Sequence, residues 1–218
     1  MNKPAIIKNI SAHVRGKFEH EGTGHDWFHI ERVWKMAKVL AKKETGADLF
    51  IVELGALLHD IADWKFHNGS LDAGPREAKR LLKKQHVPEM TIEKVCHIVK
   101  HVSYKGSHVR ETMESLEGKI VQDADRLDAM GAIGIMRNFV YAGAHHISAH
   151  IPGLKPRVHK TFDQYKSHEA AATHHFYEKL LRLKDRMNTK TGKKIAAHRH
   201  AVMEIFLREF YDEWEGKK

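Results

Sequence analysis

Apolar residues recur at three- and four-residue spacing along almost the whole chain, the period of an α-helix with one buried face. The pattern predicts helices over 4–18, 26–44, 48–62, 72–86, 89–103, 111–141, 163–186 and 190–215. No stretch sustains the alternation a half-buried strand requires. The breaks fall on turn chemistry: Glu21-Gly22-Thr23-Gly24, Gly46-Ala47-Asp48, Asn68-Gly69-Ser70 and Lys105-Gly106-Ser107. Asp48 and Thr91 are expected as N-caps. Residues 142–162 form the longest piece without a clear period and hold two of the five prolines, so a mobile loop is expected there. The expectation is an all-α, single-domain helical bundle over 1–218, with a C-terminal helical pair at 163–215.

At 218 residues the chain can bury one sizeable core. No run approaches the ~18 uncharged apolar residues of a membrane span, and the N-terminus does not read as a signal peptide. The expected location is therefore cytoplasmic. The single cysteine, Cys96, excludes an intramolecular disulfide and a cysteine-cluster zinc site. The formal net charge of +9 suits an anionic partner such as a nucleotide or phosphorylated metabolite. Lysines and arginines are interleaved with acids, with no block of five or six basic residues in succession, which argues against a nucleic-acid surface.

The chemistry stands out against the apolar pattern. His29 extends the stripe Val33, Met36, Leu40. His59 ends the row Val52, Ala56, and Asp60 ends the row Glu53, Leu57. Asp125 lies between Val121 and Ala129, on a stripe running on through Ile135, Met136 and Phe139. A carboxylate on an apolar stripe is costly unless paired or metal-bound. Two of them aimed at one core repel unless a cation lies between, and imidazole with carboxylate suits a divalent ion. Salt bridges to Arg32 or Arg126 are the competing solution.

The strings GHDWFHIERV, LLHDIADWK, HVSYKG and DADRLDAMGA, with the order H…HD…D, resemble the HD-domain superfamily of metal-dependent phosphohydrolases. They are similar to a bacterial subgroup that includes nucleotide pyrophosphohydrolases. The resemblance covers roughly residues 20–140. It implies an HD-type helical bundle whose divalent metal ion (Mn, Mg, Fe, Ni, Co or Zn) is held by His29, His59, Asp60 and Asp125. The GYP element of the cyclic-di-GMP phosphodiesterases is missing, and so is the second catalytic domain of the guanosine tetraphosphate synthetase-hydrolases.

The implied activity is phosphohydrolysis of a nucleotide, with pyrophosphate release from a triphosphate as its sharpest form. Phosphomonoesterase or phosphodiesterase activity, and a non-catalytic metal- or nucleotide-binding module, are the alternatives. Lys65 is the first candidate to neutralise phosphoryl charge, and Asp63 to hold the attacking water or orient a ligating His, against a plain Asp63–Lys65 pair. His97 and His101, four apart on one helix, are candidates for phosphate contact or a second metal, and equally for an ordinary polar face. Lys105 is a candidate for a polyphosphate contact. Arg126 and Asp128 either fix Asp125 or the substrate, or form a structural pair. Trp27, Phe28, Trp64 and Tyr104 are candidates to stack on a base. The spacing of His145, His146 and His150 resembles a metal site, but solvated or lid histidines are expected. The oligomeric state, monomer or homodimer, is open.

Overall fold

Eight of the ten residues from Leu49 to Leu58 are buried, so this helix has almost no polar face to offer water. A helix apolar all round belongs inside other helices. The computed structural model describes residues 1–19, 26–62, 72–103, 112–157 and 171–218, and these are helical without a strand. The helices are α1 (Lys3–Phe18), α2 (Trp27–Ala41), α3 (Leu49–Leu58), α4 (Ala73–Lys84), α5 (Glu89–His101), α6 (Leu116–Asp128), α7 (Gly131–Ala144), α8 (Ala172–Glu178) and α9 (Lys190–Trp214), with a 3₁₀ segment Leu180–Arg186 before α9. They gather into two compact units. Among the described residues, the first takes those up to 103 and 112–125, the second those from 126 onward.

In the first unit α3 is the centre, packed against α1, α2 and α5. Its start is fixed by Asp48, whose carboxylate accepts from the Phe50 amide at 2.9 Å, the cap expected from the sequence. Gly55 permits a close approach in this core. A Cβ there would lie 3.2 Å from Ile98 of α5 and 3.3 Å from Val121 of α6. Glu53, the one charged residue of α3, accepts from Trp34 Nε1 of α2 at 3.1 Å. Antiparallel partners α4 and α5 pack on each other through a tight turn at His86, whose φ is +53°.

In the second unit α9 packs against α7 and against the 3₁₀ segment, and α8 contacts both α7 and that segment. Phe139, Phe176, Phe206 and Phe210 meet there with ring centroids 5.8–6.5 Å apart. Such aromatic groups supply much of the buried area of a small core.

Three expectations need correction. The helix expected over 111–141 is two helices: Met130 is extended and Gly131 has φ +69°, which ends the α-helical hydrogen-bond ladder while the apolar stripe runs on. Thr91 is not the cap of α5, which starts two residues earlier behind Pro88. The described part of 163–186 is short α8 and the 3₁₀ segment, broken at Lys179 (φ −138°, ψ −61°), so the C-terminal pair is a less regular arrangement. Residues 145–157 are irregular, as expected for the middle of 142–162, although α7 reaches Ala144.

Candidate metal centre

The site lies in the first unit and is built at helix ends. Asp26 caps α2 by accepting from the His29 amide at 2.8 Å, which places His29 in the first turn of that helix. His59 is the C-terminal cap residue of α3 and Asp60 follows it. Asp125 lies in the last turn of α6. Both carboxylates thus sit where a helix presents its own partial negative charge. Such an arrangement favours a cation twice over, through the acids and through the dipoles.

The donor atoms converge. His29 Nε2 and His59 Nε2 are 3.2 Å apart, their rings edge to face at 71°. Asp60 Oδ2 lies 3.4 Å from His29 Nε2 and 3.5 Å from His59 Nε2. Asp125 Oδ1 lies 3.7 and 3.9 Å from the same two nitrogens. Ligand atoms of His29, His59 and Asp125 all fall within 4.8 Å of one another, a grouping that could hold a metal ion. For ligand bonds of ~2.1 Å, neighbouring donors of a four- or six-coordinate ion stand roughly 3.0–3.4 Å apart. The observed separations match or exceed that spacing by a few tenths of an ångström.

Burial sharpens the case. The side chains of His29 and His59 are 1% exposed and Asp60 9%, while Asp125 keeps 28%. Nδ1 of His59 is 2.8 Å from the carbonyl of Ala56. A carbonyl only accepts, so that nitrogen carries the proton and Nε2 presents its lone pair to the cluster. Ligating histidines are oriented in this way by a partner at the far nitrogen.

The other candidates scatter. His97 is exposed and His101 half-buried; their rings stand 4.5 Å apart, and His101 Nδ1 is 2.6 Å from Thr112 Oγ1. Arg126 is buried and donates from Nη1 to the Arg186 carbonyl. Asp128 pairs with Arg137 at 3.1 Å. Asp63, Lys65 and Lys105, with Trp64 and Tyr104, lie outside the described residues. Phe28, one residue before His29, is 61% exposed, whereas Trp27 is buried. The loop histidines are engaged separately: His145 stacks on Tyr141, and His150 meets Thr173 Oγ1 at 3.0 Å.

Two positioning contacts were missed by sequence reasoning. The Ala56 carbonyl could have been anticipated from its place three residues before His59. Lys17 could not: from the last turn of α1 its Nζ donates to the Ile61 carbonyl at 2.5 Å, bracing the turn that carries His59 and Asp60.

The HD domain family matches residues 27–130. The chain is 38% identical to the Bacillus subtilis protein YpgQ over 96% of its own length and 94% of that protein. A Lactobacillus plantarum crystal structure superposes with TM-score 0.86 at 38% identity, covering 96% of this chain and 97% of that one. A Bacillus thuringiensis structure described as an HD-superfamily hydrolase is 41% identical, with TM-score 0.75 and coverage of 98% and 99%. YpgQ in complex with ADP gives TM-score 0.74 at 36% identity, covering 98% and 97%. The chain belongs to the HD-domain superfamily.

Proposed function

We propose that His29, His59, Asp60 and Asp125 hold one divalent metal ion and that the protein is a phosphohydrolase acting on a nucleotide, releasing pyrophosphate from a nucleoside triphosphate. The observation that carries this reading is the convergence of two imidazole nitrogens and two carboxylates at the ends of three helices. A divalent ion held there supplies Lewis acidity toward a phosphate ester and acidifies the water it coordinates.

The chain's own residues do the rest. The Ala56 carbonyl keeps the His59 lone pair on the site, and the Asp26 cap holds His29 in register. Burial of both imidazoles keeps bulk water from competing for them, while the more open Asp125 marks the side from which substrate enters. Exposed Phe28, adjacent to His29, is placed to offer a ring to a base. Lys65 and Lys105 remain the proposed phosphate cations and Asp63 the proposed water-orienting acid. His97, His101 and Arg126 are weaker, given the partners described above. The ADP complex of YpgQ supports the nucleotide class, and the net charge of +9 suits a polyphosphate.

A hydrolysis panel of nucleotides with Mn²⁺, Mg²⁺, Ni²⁺ and Co²⁺, in ¹⁸O-labelled water, tests the reaction. Label in the monophosphate with unlabelled pyrophosphate is the expected result. Label in orthophosphate means a γ-phosphatase, and monophosphate hydrolysis alone means a phosphomonoesterase. Asp60→Ala is expected to lose about one ion per chain while keeping its helical content. Full occupancy in that variant would refute the ligand assignment.

A further inference from the structure

The positive charge of this chain is concentrated. Residues 179–200 contain eight lysines or arginines and one acid, Asp185, and so account for seven of the nine net positive charges. Along the sequence these residues are interrupted by apolar ones and do not form a run. Folding sorts them. The 3₁₀ segment Leu180–Arg186 packs on α9, and the two elements bury their apolar residues, among them Leu180, Leu183, Ala196 and Met203.

On α9 the outward face carries Lys190, Lys193, Lys194, Ala197, His198 and Ala201, all exposed. Lys190, Lys194 and His198 repeat every fourth residue, so cationic or titratable groups are spaced by about 6 Å along the helix axis. Thr189 caps the helix through the Gly192 amide at 2.9 Å, and the positive end of the helix dipole lies at the same place. Several exposed cations elsewhere have acids beside them, among them Lys35 with Glu31, Arg80 with Glu77, Lys79 with Glu89, Lys100 with Asp72 and Lys218 with Glu209. Among the described residues, Lys184, Lys190, Lys193 and Lys194 take part in no ion pair. Lys190, Lys193 and Lys194, exposed together on one helix face, repel one another, and a polyanion removes that repulsion.

We propose that this face binds the phosphate backbone of nucleic acid without sequence preference. Regularly spaced lysines suit a ligand with a charge on every unit. The α9 ridge has no arginine on its exposed N-terminal half and thus no fork for reading base edges. A membrane-surface helix would alternate its lysines with large apolar residues, and here only Ala197 and Ala201 intervene. The alanines instead leave room for a strand to lie against the ridge. This inference is independent of the metal centre and survives the failure of that reading.

Fluorescence anisotropy with labelled 20-nucleotide single-stranded RNA and with a DNA duplex, at several salt concentrations, tests it. Replacing Lys190, Lys193 and Lys194 together by Gln should weaken binding about tenfold or more, and should reduce the slope of log affinity against log salt by roughly 2 for the single strand. A matched variant, Lys8→Gln with Lys42→Gln and Lys43→Gln, changes net charge equally and should alter affinity by less than about twofold. All six side chains are exposed, and unchanged circular dichroism verifies the fold. Equal losses in the two variants would mean that only net charge matters and would overturn the proposal. So would wild-type protein that fails to bind at 150 mM salt, or competition by polyglutamate as effective as competition by unlabelled RNA.

Discussion

Lys17 offers the most direct test of how the turn bearing His59 and Asp60 is held. Its ammonium donates to the Ile61 carbonyl at 2.5 Å, one residue past Asp60. It also lies near enough to Glu77 of α4 to lower that carboxyl below its usual range, behind the larger effect of Arg80. Lys17→Met keeps the aliphatic stem and deletes the charge. A hydrogen bond from a charged donor contributes about 1.5–3 kcal/mol when well shielded. Lys17 itself is exposed, so water competes and about 1 kcal/mol is the working figure. For a chain of this size that corresponds to a drop in Tm of about 2–4 °C. If the turn loosens in the variant, metal binding must first restore it, and the same 1 kcal/mol appears as about fivefold weaker affinity. Calorimetry gives the first number, and Mn²⁺ titration followed by electron paramagnetic resonance gives the second. Lys17→Arg should restore both. A lower Tm with wild-type affinity would make Lys17 a general fold contact and would refute its link to the site.

Three further outcomes are expected. Gly131→Ala should destabilise by about 1–2 kcal/mol in urea titration, because φ is +69° and the new Cβ would meet Arg199 Cγ at 3.0 Å. Partial desolvation of its hydroxyl, helped by the hydrogen bond with Tyr211, pushes the Tyr177 phenol up to about 12, although the residue as a whole is 38% exposed. Absorbance at 295 nm should therefore show one tyrosine ionising late, and Tyr211→Phe should bring it earlier. Because the folded state holds the proton more tightly than the unfolded one, this contribution to stability is complete below about pH 10 and is lost as the pH rises through about 12. Lys65→Ala should cut turnover by one to three orders of magnitude, about 1.4–4 kcal/mol of barrier, with metal content unchanged; a wild-type rate would remove Lys65 from the phosphate site.

Much of the site was legible because its residues violate a pattern. His29, Asp60 and Asp125 each interrupt an apolar stripe, and burial of the first two follows from the positions of their neighbours. Asp48 was legible as a cap because a short acceptor before an apolar run has few other uses. The break between α6 and α7 was not, since the stripe continues through it and a single glycine carries the change of direction. The basic face was hidden for a related reason. Lysines interleaved with buried Gly192 and Ala196 look dispersed until the helix places them on one side. Lys17 had no local signal at all, because its partner is a carbonyl 44 residues away.

Building the site from helix termini sets how the metal would act on the chain as a whole. Terminal turns have the fewest hydrogen bonds to lose and open most often. Residues 29, 59 and 125 are also far apart in sequence, so joining them closes two long loops, and the unfolded chain pays that entropy while the native one has already met it. Chelation should then leave the interior of α3 intact, since its burial owes nothing to the ion. The start of α2 and the last turns of α3 and α6 should exchange their amide hydrogens faster, so that a bound ion would work as a clasp on three fraying ends.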